Sequence, residues 1–170
     1  MEQVIQVPLN LPNVRILSVG KTDRGEGLIQ VESTVERAAC ARCGREIRDF
    51  HGGGEVVRLR HLPIFDQGVW IELRPKRYRC RECAGPPTTT QRCAWYDERS
   101  PNTRAYEQMA PRVLINATLA DTARKLGITE ERAEGILDRH VETEVNWDEY
   151  TYLGLIGIDE VALRRGTVTM

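Results

Sequence analysis

Apolar and polar residues alternate with a period of two along much of the first half of the chain. Ile29, Val31 and Val35 interleave with Gln30, Glu32 and Thr34; Val57 and Leu59 with Arg58 and Arg60; and Val69, Ile71 and Leu73 with Trp70, Glu72 and Arg74. That spacing predicts strands with one buried face. The β-rich run from Val14 to Val19, joined to Leu28–Val35 through a segment containing Gly25 and Gly27, predicts a hairpin. After residue 100 the period lengthens. Ser100-Pro101 reads as a helix start, with the helix running to about Ile115. Thr118 and Asp121 form a capping box for a second helix ending at Leu126, with Gly127 as its stop. Thr129 caps a third helix whose inner face is Ala133, Ile136, Leu137, Val141 and Val145. Residues 84–100, with Pro86-Pro87 and three threonines, read as a linker. The whole predicts an α+β chain.

A small residue at Ala123, a turn at Gly127 and apolar anchors at Ala133 and Ile136 fit a helix-turn-helix, although ordinary helical bundles produce the same pattern. The last run, from Tyr152, is apolar and strand-like and delivers Asp159 at its end. A buried strand that ends in a carboxylate suits a metal-dependent nuclease, although a capped or salt-bridged Asp gives this pattern more often.

Composition narrows the architecture. Of 170 residues only 6% are aromatic, and the mean hydropathy is -0.44, so small modules stapled by a metal fit better than one large core. No apolar run approaches the roughly 18 residues a membrane span needs, and no charged, apolar leader opens the chain; a soluble cytoplasmic protein is expected. The net charge of -1 hides a division. Residues 1–36 hold 3 basic and 5 acidic side chains, residues 37–100 hold 13 and 8, and residues 101–170 hold 8 and 12. The middle is basic, as phosphate contact requires, although a solvated charged face has the same composition.

Candidate chemistry concentrates in two Cys-x-x-Cys pairs, Cys40/Cys43 and Cys80/Cys83. Each pair can turn both sulfurs toward one ion, Gly44 and Gly85 ease the turns, and four thiolates complete a tetrahedral zinc shell. Two disulfides or independent thiols are the competing readings. Cys93 and His51 are surplus to such a shell. The strand entering the second pair carries Arg74, Lys76, Arg77, Arg79 and Arg81 around Tyr78. These basic side chains can hold phosphates, with Tyr78 either stacking on a base or packing beneath the metal. In the third helix Arg132, Arg139 and His140 face Glu130, Glu131, Glu134, Asp138, Glu142 and Glu144. Carboxylates repel phosphates, so this helix touches DNA weakly or docks a protein.

The ordered set of the Val14–Val35 hairpin, the cysteine pairs with Leu59-Arg-His-Leu-Pro63 and Arg77-Tyr-Arg-Cys80-Arg81, the helix-turn-helix, and Ile156-Gly-Ile-Asp159 resembles the N-terminal part of ISL-three-family insertion-sequence transposases. The resemblance covers nearly the whole chain. It implies four successive units: an N-terminal hairpin over 1–36, a zinc module over 37–99, a helix-turn-helix over 100–147, and over 148–170 the truncated start of an RNase H-like catalytic domain. It further implies double-stranded DNA at the terminal inverted repeats as partner, structural zinc, and Mg²⁺ at a three-carboxylate site in a complete enzyme. Asp159 matches the first of those carboxylates. With no second or third before Met170, the chain is expected to be inert in strand transfer on its own. A free-standing regulator or repressor of transposition, partnered by a second copy or by intact transposase, and a protein-interaction module are the alternative readings.

Overall fold

The computed structural model describes residues 8–140 together with 148, 151 and 152; Val141, Glu142, Glu144, Val145 and, beyond Tyr152, the run ending in Asp159 lie outside the described residues. The predicted hairpin forms, as β1 (Val14–Lys21) and β2 (Gly27–Ser33). It is not a separate layer, however. β2 pairs in parallel with β7 (Gln67–Leu73), and β7 pairs antiparallel with β6 (Val57–Ile64), giving one four-stranded sheet of order β1-β2-β7-β6. Residues on both sides of the expected boundary at 36/37 therefore share one sheet, because the apolar faces of β2 and β7 bury each other's flanks.

The register explains the core. Ile29 lies opposite Ile71, Val31 opposite Leu73, and Leu59 opposite Ile71, so the alternating apolar positions of three strands fall on one face. Trp95 and Tyr96 cover that face, their ring centres 4.9 Å apart. On the opposite face Glu72 accepts from Gln30 (2.9 Å) and Arg58 (2.8 Å), a polar ladder suited to solvent.

Between β2 and β6 the chain forms β3 (Ala38–Ala39), β4 (Glu46–Ile47) and β5 (Asp49–Gly53). After β7 it forms β8 (Lys76–Arg79) and β9 (Thr88–Thr90), and β5, β8 and β9 make a second, antiparallel sheet. Residues 84–100 are thus not a linker. The threonines pair as a strand with β8, the side chain of Gln91 is buried and donates to the carbonyls of Val35 (2.7 Å) and Arg37 (3.1 Å), and Trp95 and Tyr96 belong to the core.

Among the described residues three helices follow: α1 (Arg104–Leu114), α2 (Leu119–Leu126) and α3 (Glu130–His140). Thr118 caps α2, Gly127 ends it in the left-handed conformation, and the Thr129 hydroxyl accepts from Arg132 N–H, as the sequence predicts. Ala123, Ala133 and Ile136 are buried where the helices meet. The start of α1 lies later than predicted. Thr103, not Ser100, is its N-cap, because residues 101–103 are drawn to the edge of β6: Arg60 N–H donates to the Pro101 carbonyl and Thr103 N–H to the Arg60 carbonyl, both at 2.9 Å. The Thr103 hydroxyl accepts from Tyr106 N–H and donates to Nδ1 of buried His61 (2.9 Å). The Leu9 carbonyl can only accept, so His61 Nε2, 3.1 Å away, carries the proton.

The two-residue turn Phe65-Asp66 that joins β6 to β7 has φ of 49° and 62°, a conformation that suits Asn-Gly and strains a bulky aromatic. Replacing the pair by Phe65→Asn and Asp66→Gly is expected to raise stability by about 1 kcal/mol, read from the urea midpoint. Burial holds the His61 imidazole below its ordinary value, against a weaker opposing pull from the Leu9 carbonyl. The unfolded chain therefore binds the proton first, and stability should decline as pH falls below about 6.5, the ordinary imidazole value. Urea midpoints at pH 8 and 5.5 will check this, with a smaller decline expected in His61→Gln.

Candidate metal centre and basic strand

The first cysteine pair sits in the turn between β3 and β4, and the second in the turn that follows β8. Gly44 (φ 72°) and Gly85 (φ 63°) take the left-handed conformation the sequence analysis required of them. Backbone bonds fix each turn: Gly44 N–H donates to the Cys40 carbonyl (2.9 Å), Cys40 N–H to the Arg45 carbonyl (2.8 Å), and Cys80 N–H to the Pro87 carbonyl (2.9 Å). Arg42 Nη1 donates to the Ala84 carbonyl at 2.8 Å and so joins the two turns.

The four Sγ atoms lie within 4.8 Å of one another. Cys40 to Cys83 is 4.0 Å, Cys43 to Cys80 is 3.8 Å and Cys80 to Cys83 is 3.7 Å. A tetrahedron of Zn–S bonds of about 2.3 Å has edges of about 3.8 Å, so these sulfurs fit zinc. Disulfides are excluded at such separations, since bonded sulfurs stand about 2.05 Å apart. The thiols differ in acidity. The amides of Cys43 and Arg42 lower Cys40 to about 6, whereas hydrogen bonding with Cys43, together with burial, pushes Cys83 up to about 12. A divalent cation resolves that conflict by letting all four ionise, with release of protons. Cys40 and Cys80 are buried with Ile47 and Tyr78, while Cys43 is exposed and Cys83 half-buried. Zinc here is a structural ion. Cys93 packs against the core of the four-stranded sheet and His51 bonds to Arg79; neither belongs to the cluster.

Tyr78 is 1% exposed and packs beneath the metal turns, so base stacking by this ring is excluded. Its burial fixes the strand. Side chains alternate, so Arg77 and Arg79 stand on the face opposite Tyr78. Arg77 donates to Thr88 Oγ1 (2.7 Å) and Arg79 to the His51 ring (2.6 Å), while the charge of Arg79 also helps to lower the Asp49 carboxyl opposite it. Arg81 instead pairs with Asp49 at 2.7 Å, which raises its pKa and lowers that of the carboxyl. Arg74 is exposed and Lys76 half-exposed, and neither forms an ion pair among the described residues.

On α3, Arg132 is exposed but Arg139 is committed. Its guanidinium lies 2.7 Å from the buried carboxylate of Glu107 on α1, which also accepts from Ser100 Oγ and Asn102 Nδ2 (3.2 Å) and lies 3.5 Å from His140. Burial pushes Glu107 up, but the bonds from Arg139, Ser100 and Asn102 outweigh it and hold the carboxyl below its ordinary range. Arg139 therefore braces α3 against α1. Glu130, Glu131, Glu134 and Asp138 are exposed, as expected of that helix.

Residues 36–83 match the family described as the zinc-finger of transposase IS204/IS1001/IS1096/IS1165. The chain is also 25% identical over 138 residues to the transposase for insertion sequence element IS1001 of Bordetella parapertussis. That match covers 81% of this chain and 33% of the relative, so the chain spans about a third of the curated relative's length. No solved structure matches. The resemblance to ISL-three transposases drawn from the sequence is thus borne out, with its zinc-finger segment ending on the last metal ligand.

Metal analysis of the purified protein should give one zinc per chain, and chelation should unfold the second sheet and both cysteine turns. Cys80→Ser, which removes a buried ligand, is expected to abolish metal retention. Cys43→Ser should weaken it less. Full folding in chelator, followed by circular dichroism, would contradict the assignment.

Proposed function

We propose that this chain is a DNA-binding region of an insertion-sequence transposase that recognises the terminal inverted repeats of its element. The observation that carries the reading is the placement of Arg77 and Arg79 on one face of a strand whose other face supplies Tyr78 and leads into the metal ligand Cys80. Zinc orders the turn after β8, and β8 in turn aims two guanidinium groups, hydrogen-bonded to Thr88 and His51, away from the core. Guanidinium groups held in this way suit phosphate oxygens. Exposed Arg74, just before the strand, and Lys76, on the Tyr78 side of it, add charge nearby, and Arg81 adds less because Asp49 neutralises it. The name of the IS1001 relative supports the transposase setting. Asp159, as the first carboxylate of a Mg²⁺ site, belongs to the activity of a whole transposase and is part of the proposal only in that sense.

A second reading concerns α3. Its exposed surface carries Glu130, Glu131, Glu134 and Asp138 against Arg132, and that favours a protein partner, such as intact transposase or a second copy, over phosphate. On that second reading the basic strand alone holds DNA and α3 is the protein-facing element, whereas on the first reading exposed Arg132 gives the duplex a second contact.

Titration of terminal-repeat and random duplexes at several salt concentrations tests the proposal. The double substitution Arg77→Ala/Arg79→Ala should weaken binding to both and reduce the slope of log K against log salt by roughly 2, near 0.9 per lost phosphate contact. Binding that survives this change but is abolished by Arg132→Ala would make α3 the DNA-contacting element instead.

A further inference from the structure

Consecutive residues of β6 grip the start of α1 from opposite faces of the sheet. On the inner face His61 bonds to the Thr103 cap. On the outer face the Arg60 guanidinium lies 5.4 Å from the ring centre of Trp70 and 5.9 Å from that of Tyr106, and it pairs with Glu26 at 3.5 Å. Glu26 also accepts from Trp70 Nε1 at 2.7 Å. Tyr106 in turn donates its hydroxyl to the carbonyl of Leu126, the last residue of α2, at 3.2 Å. A Cβ built on Gly127 would meet Arg60 Nη2 at 3.4 Å. One side chain, 17% exposed, therefore touches the sheet and the first helix and points its guanidinium toward the space a side chain at Gly127 would fill, in the turn between the second and third helices.

We infer that Arg60 is a positioning residue that clamps the three-helix unit to the four-stranded sheet. The basic strand and the helix-turn-helix then meet DNA or partner in a fixed relative placement. The consequence for DNA rests on the DNA-binding reading above; the clamp itself does not. Arginine suits the role because its planar cation can lie against two aromatic rings while a carboxylate holds its edge. Lysine, a point charge, keeps the attraction to Glu26 but loses the planar contacts. Two binding elements on one rigid body gain from effective concentration, since the second engages without a separate encounter. Loosening the joint removes that gain and leaves the phosphate contacts of Arg77 and Arg79 in place.

The test uses the zinc-loaded full chain and the variants Arg60→Lys and Arg60→Met. Thermal unfolding is followed by helical circular dichroism and by tryptophan fluorescence, to which Trp70 and Trp95 of the sheet contribute. The wild-type protein should give coincident transitions, and in the variants the helices should melt before the sheet. The ratio of terminal-repeat to random-duplex affinity should fall about tenfold, a modest share of what linking two contacts can supply, while the salt slope stays constant. Glu26→Gln, which releases only the ion pair, should shift both readouts in the same direction by less, and it serves if the Arg60 variants do not fold. Coincident melting and an unchanged affinity ratio in the variants overturn the clamp. Separated melting with no duplex preference in the wild type retains the clamp and rejects the DNA reading.

Discussion

The parallel pairing of β2 with β7 is the constraint on which the rest of the molecule depends. Two parallel neighbours run out of a sheet at the same end, whereas antiparallel ones leave at opposite ends. The chain beyond Ser33 turns into Cys40 and Cys43, and the chain beyond Leu73 runs through β8 to Cys80 and Cys83. Both cysteine turns consequently arrive at one place, and zinc joins two exits that the sheet has already brought side by side. The connection that parallel strands require is made here by β3 to β6, so the first metal turn is itself part of the crossover.

The same geometry determines where charge is displayed. Tyr78 and Cys80 must face inward to reach the metal turns, and alternation then turns Arg77 and Arg79 outward. A one-residue slip would bury guanidinium groups and expose the tyrosine, so the register is held from both sides. Metal binding and the presentation of basic side chains are in this sense one structural event.

Much of this was legible in the sequence, and the reasons differ by element. The metal ligands were readable because two close cysteine pairs have few other uses, and the ends of α2 because Thr118 and Gly127 are local signals that need no tertiary context. The shared sheet was not readable, since alternation reveals a strand's faces but not its neighbours. Trp95 and Tyr96 were missed because prolines and threonines around them resemble a linker, although two adjacent aromatics in a chain so poor in them were a usable sign of core. Ser100 looked like a cap and Arg139 like a free cation for the same reason: the strand edge that claims residues 101–103 and the buried Glu107 carboxylate are long-range features.

The unequal burial of the four cysteines has a kinetic meaning. Cys40 and Cys80 sit beneath packed side chains, while Cys43 faces solvent and Cys83 is half-covered. An incoming thiol or chelator would reach a bound ion from the open side, where Cys43 is the ligand most open to displacement, so ligand exchange would not have to await global unfolding. Tight binding at equilibrium and ready exchange at the open side would therefore be compatible in one site.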